Sequence, residues 1–571
     1  MTRAAPKPAC AHTEVWLTMR VCYCYYHKRR YLMLTAVAVF LCVITIVCGE
    51  AYTLDGIGGL EGSGISSGAF YAGAGAGSGT GSGAGGGRGA GGSGTALDYQ
   101  EYTFITGEPV LLKGTLIIGK SDSSGVLTST YSYKLNNTAR KFQLTRDISY
   151  ETVTTEKDNG QTVTVTRLAR DPSEKIVTGN GTYTLRRMDF TRTSLIDAKP
   201  AVNYYSGNTW YRKQYEVGGG TATSSSGDYL MVEATGQFYG FDEAWGSADV
   251  EDTDFVIEYS QSSASTGNSG MRELWSGTAN VRRSQSAITE LRYIENEPEA
   301  ISFRGGYLET RNNKNTLEFS ARLPEFDAGG NATDRIKKYA DDTQISTFPS
   351  TRRLVAPYLR QIAGHWSEEA VAKLFGLEIL TTRPSEFIPD QTVTRSEFAA
   401  MLVAAAPPVP ADPSVRQRGG AAKAAGKGKA SAAPAPSFTD VPADREYFPQ
   451  IEEAYARRLM NPIDKFEFRP DGKVTVADAA VTFIRALGLE AQASAHGAVT
   501  EFSDDDGIPG YARDALYVAQ RIGLLRGDGA GRIYPLKELT RAEAAVMLDR
   551  FVEYMMGELR SDYSDRFMDY N

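Results

Sequence analysis

Three segments in the last third of the chain repeat one another in order, and this constrains the fold more than any single motif does. The first runs Gly364-His365-Trp366, Phe387-Ile388-Pro389, then Val393-Thr394-Arg395-Ser396-Glu397. The second runs Phe438-Thr439-Asp440-Val441, Phe468-Arg469-Pro470, then Val474-Thr475-Val476-Ala477-Asp478. The third runs Phe502-Ser503-Asp504, Ile533-Tyr534-Pro535, then Leu539-Thr540-Arg541-Ala542-Glu543. In every copy the proline precedes the threonine by five residues. A unit too small to bury its own apolar face must pack against its copies, so the repeats predict one bundle and not three separate domains.

The third copy shows the physics of a unit. Ala512, Ala515, Leu516 and Ala519 fall at i, i+3, i+4 and i+7 and make one apolar helical stripe. The turn Arg526-Gly527-Asp528-Gly529 ends that helix. Thr540 and Glu543 then have capping-box spacing: the hydroxyl takes backbone N–H groups and the carboxylate reaches back. Ala544, Met547, Leu548 and Phe551 form the next stripe. Thr394 and Glu397 repeat the box in the first copy, and Thr475 with Asp478 is a shorter version. Each unit is therefore read as a helix–loop–helix of about 50 residues.

Before the repeats the texture is β. Thr162–Thr166 and Tyr131–Leu135 alternate strictly. Further runs at Val110–Ile118, Tyr229–Phe241, Asp254–Tyr259, Ala287–Ile294, Ile301–Leu308 and Thr316–Leu323 are rich in Thr, Tyr, Val and Ile. Clusters such as Asp158-Asn159-Gly160 separate them, which predicts short antiparallel strands in a sandwich-like all-β region over 97–325. Asp249, Glu251, Asp252 and Asp254 read as a solvated acidic loop. Trp210, Trp245 and Trp275 read as core or strand-face packing.

The N-terminal end carries His27-Lys28-Arg29-Arg30 before the uncharged stretch Tyr31–Gly49. A basic flank and an apolar run make a translocation signal. At 19 residues the run fits either a signal peptide cut after Ala51 or a retained membrane anchor, and both stay open. Residues 52–96 are dominated by Gly, Ser and Ala and read as a flexible linker.

Composition narrows the chemistry. All five cysteines lie within the first 48 residues, and of four histidines only His365 and His496 lie beyond them. Beyond that segment disulfides, thiolate metal sites and cysteine nucleophiles are excluded, and a zinc enzyme or His-based hydrolase is disfavoured. The net charge of −8 gives no pull toward nucleic acid. Asp504-Asp505-Asp506-Gly507 lacks EF-hand spacing, so Asp504 is assigned to helix capping. The expectation is a non-enzymatic chain with no cofactor, no metal site and no nucleic-acid partner.

The ordered motifs over roughly 360–555 resemble the S-layer homology family, with its aromatic-x-Asp-Val start and Thr-Arg-Ala-Glu motif. The resemblance implies a three-pronged bundle whose grooves bind secondary cell-wall polysaccharide, typically through a pyruvylated amino sugar. It also implies that the arginine of the motif holds the carboxylate, a role suited to a rigid guanidinium fork beside a helix N-terminus. Carried over, Arg395 and Arg541 are the ligand contacts, with Trp366 beside them, and Gly527 admits close approach of a sugar. Thr394, Glu397, Thr540, Glu543, Asp440 and Asp504 take structural or capping roles. Copy 2 departs from the pattern, with Val476 in place of the arginine and Asn461-Pro462 in place of the loop glycine. Copy 1 lacks the aromatic-x-Asp-Val start, so one or two working grooves are expected.

The implied organisation is a leader with signal or anchor (1–51), a linker (52–96), the β-rich ectodomain (97–325) and a connector (326–357). Repeat 1 (358–406), an Ala/Gly/Lys linker (407–437), repeats 2 (438–490) and 3 (502–555) and a tail (556–571) follow. The function expected is that of an exported surface protein held non-covalently to the bacterial cell wall, with a structural or adhesive β region and scope for self-assembly. A wall- or polysaccharide-acting enzyme, or a membrane-to-wall bridge through 31–49, are the alternatives.

Overall fold

The computed structural model describes residues 59–67, 96–123, 125–218, 228–262, 271–294, 305–347, 349–408, 415–417, 436–493 and 498–560. The leader with its signal or anchor segment, most of the 52–96 and 407–437 linkers, and the tail beyond 560 lie outside these residues. Among the described residues no helix is long and apolar enough to cross a membrane.

Fifteen strands form one antiparallel sheet that follows chain order almost throughout. They are β1 (Gly64–Ser66), β2 (Ala96–Thr103), β3 (Val110–Ser123), β4 (Val126–Asn137) and β5 (Phe142–Glu156). Next come β6 (Thr162–Leu168), β7 (Ser173–Val177), β8 (Thr182–Ala198), β9 (Val202–Gly218) and β10 (Asp228–Glu243). The last are β11 (Gly246–Ser262), β12 (Met271–Ile294), β13 (Gly306–Phe326), β14 (Ala332–Ser346) and β15 (Ser350–Val355). A three-residue strand, β16 (Val415–Gln417), joins β3 in parallel.

The all-β region is present as the alternation requires, but its strands are long, up to 24 residues in β12, where short ones are expected. The cluster Asp158-Asn159-Gly160 forms the turn between β5 and β6, as its composition requires. Alternation sorts the two faces: in β5, Phe142, Leu144, Arg146 and Ile148 turn inward and are buried, while Gln143, Thr145 and Asp147 are exposed. The inward residues of β1 to β14 make one core, with tyrosine and phenylalanine rings packed edge to face, as in Tyr99–Tyr133 at 5.1 Å.

Two expectations need correction. Residues 326–357 are not a plain connector: they hold β14 and β15. β14 is an edge strand exposed at nearly every position, so no apolar alternation marks it in the sequence. Residues 59–66, inside the span read as linker, are buried: Leu60 and Ile65 have no exposed surface, and β1 pairs with β2. A Cβ on Gly64 would stand 2.1 Å from the Tyr99 hydroxyl oxygen and 2.7 Å from the Gln100 carbonyl, so only glycine passes there.

This inserted segment brings a charge. Glu61 lies 3.0 Å from Arg146 and 2.8 Å from Lys213, and these cations also hold Glu174. The acidic loop read at Asp249–Asp254 is instead part of β11. Its inward residues Asp249 and Glu251 are buried against Arg283, and Glu251 also meets Arg192, while Asp252 and Asp254 face outward to Asn280. A buried charge needs a partner, and strand periodicity delivers every second one to the interior.

The C-terminal part is helical, two α-helices to a repeat: α1 (Glu368–Gly376) and α2 (Arg395–Ala405), α3 (Phe448–Ala456) and α4 (Val476–Leu487), α5 (Arg513–Arg521) and α6 (Arg541–Glu553). Both stripes read from copy 3 are buried. Phe398, Phe483 and Phe551, one from each repeat, meet at the centre with ring separations of 5.7 and 4.8 Å. The same apolar core continues into the outer face of the sheet through Val202, Phe241, Trp245 and Leu354. The Trp245 indole N–H donates to the Ala405 carbonyl at 2.9 Å, and the Ala201 N–H to the Ala486 carbonyl at 2.9 Å.

Candidate functional site: the junctions between repeats

The second helix of each repeat begins with a threonine whose hydroxyl accepts the N–H three residues on. Thr394, Thr475 and Thr540 do so at 3.2 Å each, and Glu397, Asp478 and Glu543 accept the threonine N–H in return. The next helical N–H groups find their acceptors in another copy. Arg395 and Ser396 donate to Gly472 and Pro470 of repeat 2, and Val476 and Ala477 to Lys537 and Pro535 of repeat 3. Arg541 and Ala542 donate to Gln391 and Pro389 of repeat 1, so the ring closes. The carbonyl of the proline five residues before each threonine thus accepts a first-turn N–H at the start of a neighbouring repeat's second helix.

This arrangement changes the electrostatic expectation. The N–H groups that an open helix N-terminus offers an anion are already bonded here. What remains at each junction is the side chain of the first helical residue, arginine in two repeats and valine in one. Arg395 donates through Nε to the Phe468 carbonyl at 2.9 Å and through Nη2 to the Asn461 carbonyl at 2.8 Å, with its guanidinium 4.8 Å from the Phe468 ring. Burial holds its pKa below the ordinary arginine value, against the pull of Asp478 and Asp440. Arg541 donates to Glu397, so one carboxylate caps α2 and pairs with the arginine of repeat 3. The Arg541 Nε is buried without a hydrogen-bond partner among the described residues. Val476 is buried, and no arginine stands at its junction. There Tyr511 donates to Asp478 at 2.9 Å, and the tyrosine pKa is raised by burial and by that bond.

Asp440 and Asp504 do not cap a helix, which corrects that part of the reading. Asp440 accepts the N–H groups of Phe468 and Arg469 at 3.0 and 2.7 Å, and Asp504 those of Ile533 and Tyr534 at 3.1 and 2.7 Å. Arg469 and Tyr534 both have positive φ, 58° and 50°, so each aspartate clamps the bend just before the proline. Gly527 serves a close approach within its own loop: an added Cβ would lie 2.7 Å from the Gly531 carbonyl carbon. Trp366 is exposed, with its ring 5.3 Å from that of His365. It holds the same register before α1 as Tyr511 holds before α5, since the Val371 N–H donates to Ser367 and the Leu516 N–H to Ala512.

The structure therefore gathers Arg395 with Asn461 and Phe468, and Arg541 with Glu397. It leaves Gly527 outside both junctions. The acceptor roles of Gln391, Asn461 and Phe468 were not legible in the sequence, because a backbone carbonyl leaves no residue-type signature. Among the described residues no group of three or more His, Cys, Asp or Glu stands ready to hold a metal ion.

The pattern described as S-layer homology domain matches residues 362–399, 437–480 and 501–545. The chain is 28% identical over 120 residues to the surface-layer 125 kDa protein of Lysinibacillus sphaericus, covering 20% of this chain and 10% of that one. It is 30% identical over 122 residues to an endoglucanase of a Bacillus species, covering 21% and 12%. It is 24% identical over 194 residues to an amylopullulanase of Thermoanaerobacterium thermosulfurigenes, covering 34% and 9%. The matched stretch thus spans about a tenth of the length of these curated relatives.

Proposed function

The chain carries three S-layer homology domains within residues 362–545, and from that premise we propose that its helical ring holds it at the cell surface by gripping a cell-wall polysaccharide at the junctions between repeats. One observation carries this reading: helix-start backbone donors are consumed by the next repeat, while Arg395 and Arg541 are set at two of the three junctions. A guanidinium held by carbonyl groups or a single carboxylate keeps donors for an incoming acid group, and its planar fork suits a carboxylate-bearing sugar. Two grooves work in this reading, one at Arg395 and one at Arg541. The Val476 junction has valine where the other two have arginine, and it contributes packing.

The β region acts as a structural or adhesive body and not as a catalyst. What supports this is that most of its buried carboxylates are held by cations, Glu61, Glu101 and Glu174 by Arg146, and Asp249 and Glu251 by Arg283, while burial keeps Asp242 and Glu243 well above the ordinary carboxylate range. The names endoglucanase and amylopullulanase among the relatives favour a second reading, an enzyme acting on polysaccharide. Hydrolysis of a polysaccharide by the purified chain would decide for that second reading.

The anchor is tested by co-sedimentation of the whole chain with cell-wall sacculi, intact and stripped of secondary polymer. The whole chain is used because bundle and sheet share a core. Binding that is lost on stripping, and weakened in Arg395→Ala and Arg541→Ala with helical signal intact, is the expected result. Equal binding to stripped sacculi, or by the double variant, refutes it.

A further inference from the structure

On the outer face of the sheet, beside the bundle, three rows of side chains run across β8, β9 and β10. Register places Thr193, Asn208 and Gln237 side by side, then Leu195, Ser206 and Tyr239. The third row begins Asp197, Tyr204. The β5–β6 hairpin adds Lys157 and Gln161 along one side, and on the other the Tyr204 hydroxyl donates to the Leu487 carbonyl of α4 at 3.0 Å. Between them lies an open trough of about 710 Å³. That lies within the range of roughly 300–1,000 Å³ that small-ligand sites occupy.

The strands that floor the trough say what can bind. β9 is paired with β8 and β10 along its whole length, so its backbone N–H and C=O groups are spent. A peptide adding itself as a strand needs a free edge and finds none there. Recognition must come from side chains, and those offered are two exposed amides, hydroxyls and a tyrosine face. The lining carries one cation, Lys157, and one anion, Asp197, so it offers no field of one sign. Asp197 is the one carboxylate among the lining residues, and Lys199 holds it at 3.0 Å. Amides and hydroxyls spaced about 4.8 Å apart across strands, with an aromatic face beside them, suit a neutral polyhydroxylated ligand.

We propose that this trough is a second glycan site, which binds an uncharged oligosaccharide segment and does not cleave it. Glycoside hydrolysis needs a pair of carboxylates flanking the bond, and the lining supplies one, already ion-paired. The proposal rests on the wall-anchor reading for the source of the glycan alone: the trough lies against α4, so a chain gripped at the ring would bring wall polysaccharide beside it.

The test is titration calorimetry of the whole chain with neutral tetrasaccharides of glucose and of N-acetylglucosamine. Asn208→Ala/Gln237→Ala is the main variant, since both side chains are exposed and the core is untouched. Saturable binding of at least one tetrasaccharide is expected, weakened roughly tenfold in that variant by the loss of two hydrogen-bonding groups. Binding should be unchanged in Arg395→Ala/Arg541→Ala, which lose sacculus sedimentation if the ring is the anchor. No binding of either tetrasaccharide, equal binding by the trough variant, or release of cleaved sugar overturns the proposal. Retained sedimentation of the double arginine variant would overturn the anchor reading and leave this one standing.

Discussion

Arg146 is the strongest single test of how the sheet tolerates its buried charges. Its guanidinium donates to Glu101 at 2.9 and 3.0 Å and to Glu174 at 2.9 Å, and stands 3.0 Å from Glu61. With Lys213, the site holds three carboxylates and two cations. In Arg146→Met the same carboxylates face Lys213 alone, so two uncompensated negative charges remain in a dry interior. Breaking a buried pair by removing one partner costs about 3–5 kcal/mol. At about 2 °C per kcal/mol, this lowers the melting temperature of the β region by roughly 6–10 °C. The assay is thermal unfolding followed by near-ultraviolet circular dichroism. Glu101 is the carboxylate to neutralise in a second step, because burial raises its pKa even against Arg146. Arg146→Met/Glu101→Gln leaves two carboxylates and one cation, the same net charge as the parent, and should recover most of the loss. A double variant no more stable than the single one would refute the charge-balance argument. Acid gives a second reading. Arg146 and Lys213, against the opposing effect of burial, hold the Glu174 carboxyl down to about 2. A depressed folded pKa contributes stability that is complete above the unfolded value near 4.5 and disappears as pH falls toward about 2. The parent should therefore lose stability across that window, and the deficit of Arg146→Met should shrink there.

Asp242 titrates with the opposite sign. Burial, with Asp249 nearby, raises it to about 7 from 3.8, so the folded state holds the extra proton and stability falls as pH rises through that interval. Asp242→Asn should match the parent in urea melts at pH 4 and exceed it at pH 8. Glu397→Ala removes both the α2 cap and the partner of Arg541, a loss of about 1–3 kcal/mol visible in helical unfolding at 222 nm. Trp245→Phe leaves the buried Ala405 carbonyl without its 2.9 Å donor. It should cost about 1–3 kcal/mol and speed amide exchange where the sheet meets the bundle.

The helical ring was readable because its signals are local. A threonine and an acid three residues apart, a proline at fixed distance and a 3.6-residue apolar stripe all lie within one repeat. How the repeats join was not readable: the prolines act as acceptors through backbone carbonyls, and the choice of neighbour is set by closure of the ring. The β region was recognisable by alternation where one face is buried, as in β4 or β10. It failed at β14, which water covers on both sides of the strand, and at Asp249–Asp254, where inward acids imitate a loop. Nothing in the sequence pairs Glu61 with residues more than 80 positions away, and glycines around it suggested a chain without a core role.

The glycine-rich span is bounded in the chain by paired strands. Its described flanks, Ser67 and Ala96, continue into β1 and β2, which pair antiparallel with Ser66 opposite Tyr99. The two described flanks of that span therefore lie on neighbouring strands of one sheet. The link that joins the β region to the anchor is packed: Val202, Phe241 and Trp245 share a core with α2 and α4, and Tyr204 and Trp245 each donate to a helix carbonyl. A pull on a polysaccharide held at the ring is thus transmitted to the sheet through side-chain packing and not through a spacer. For a surface protein this favours a fixed presentation of the sheet's outer face, the trough included, relative to the wall.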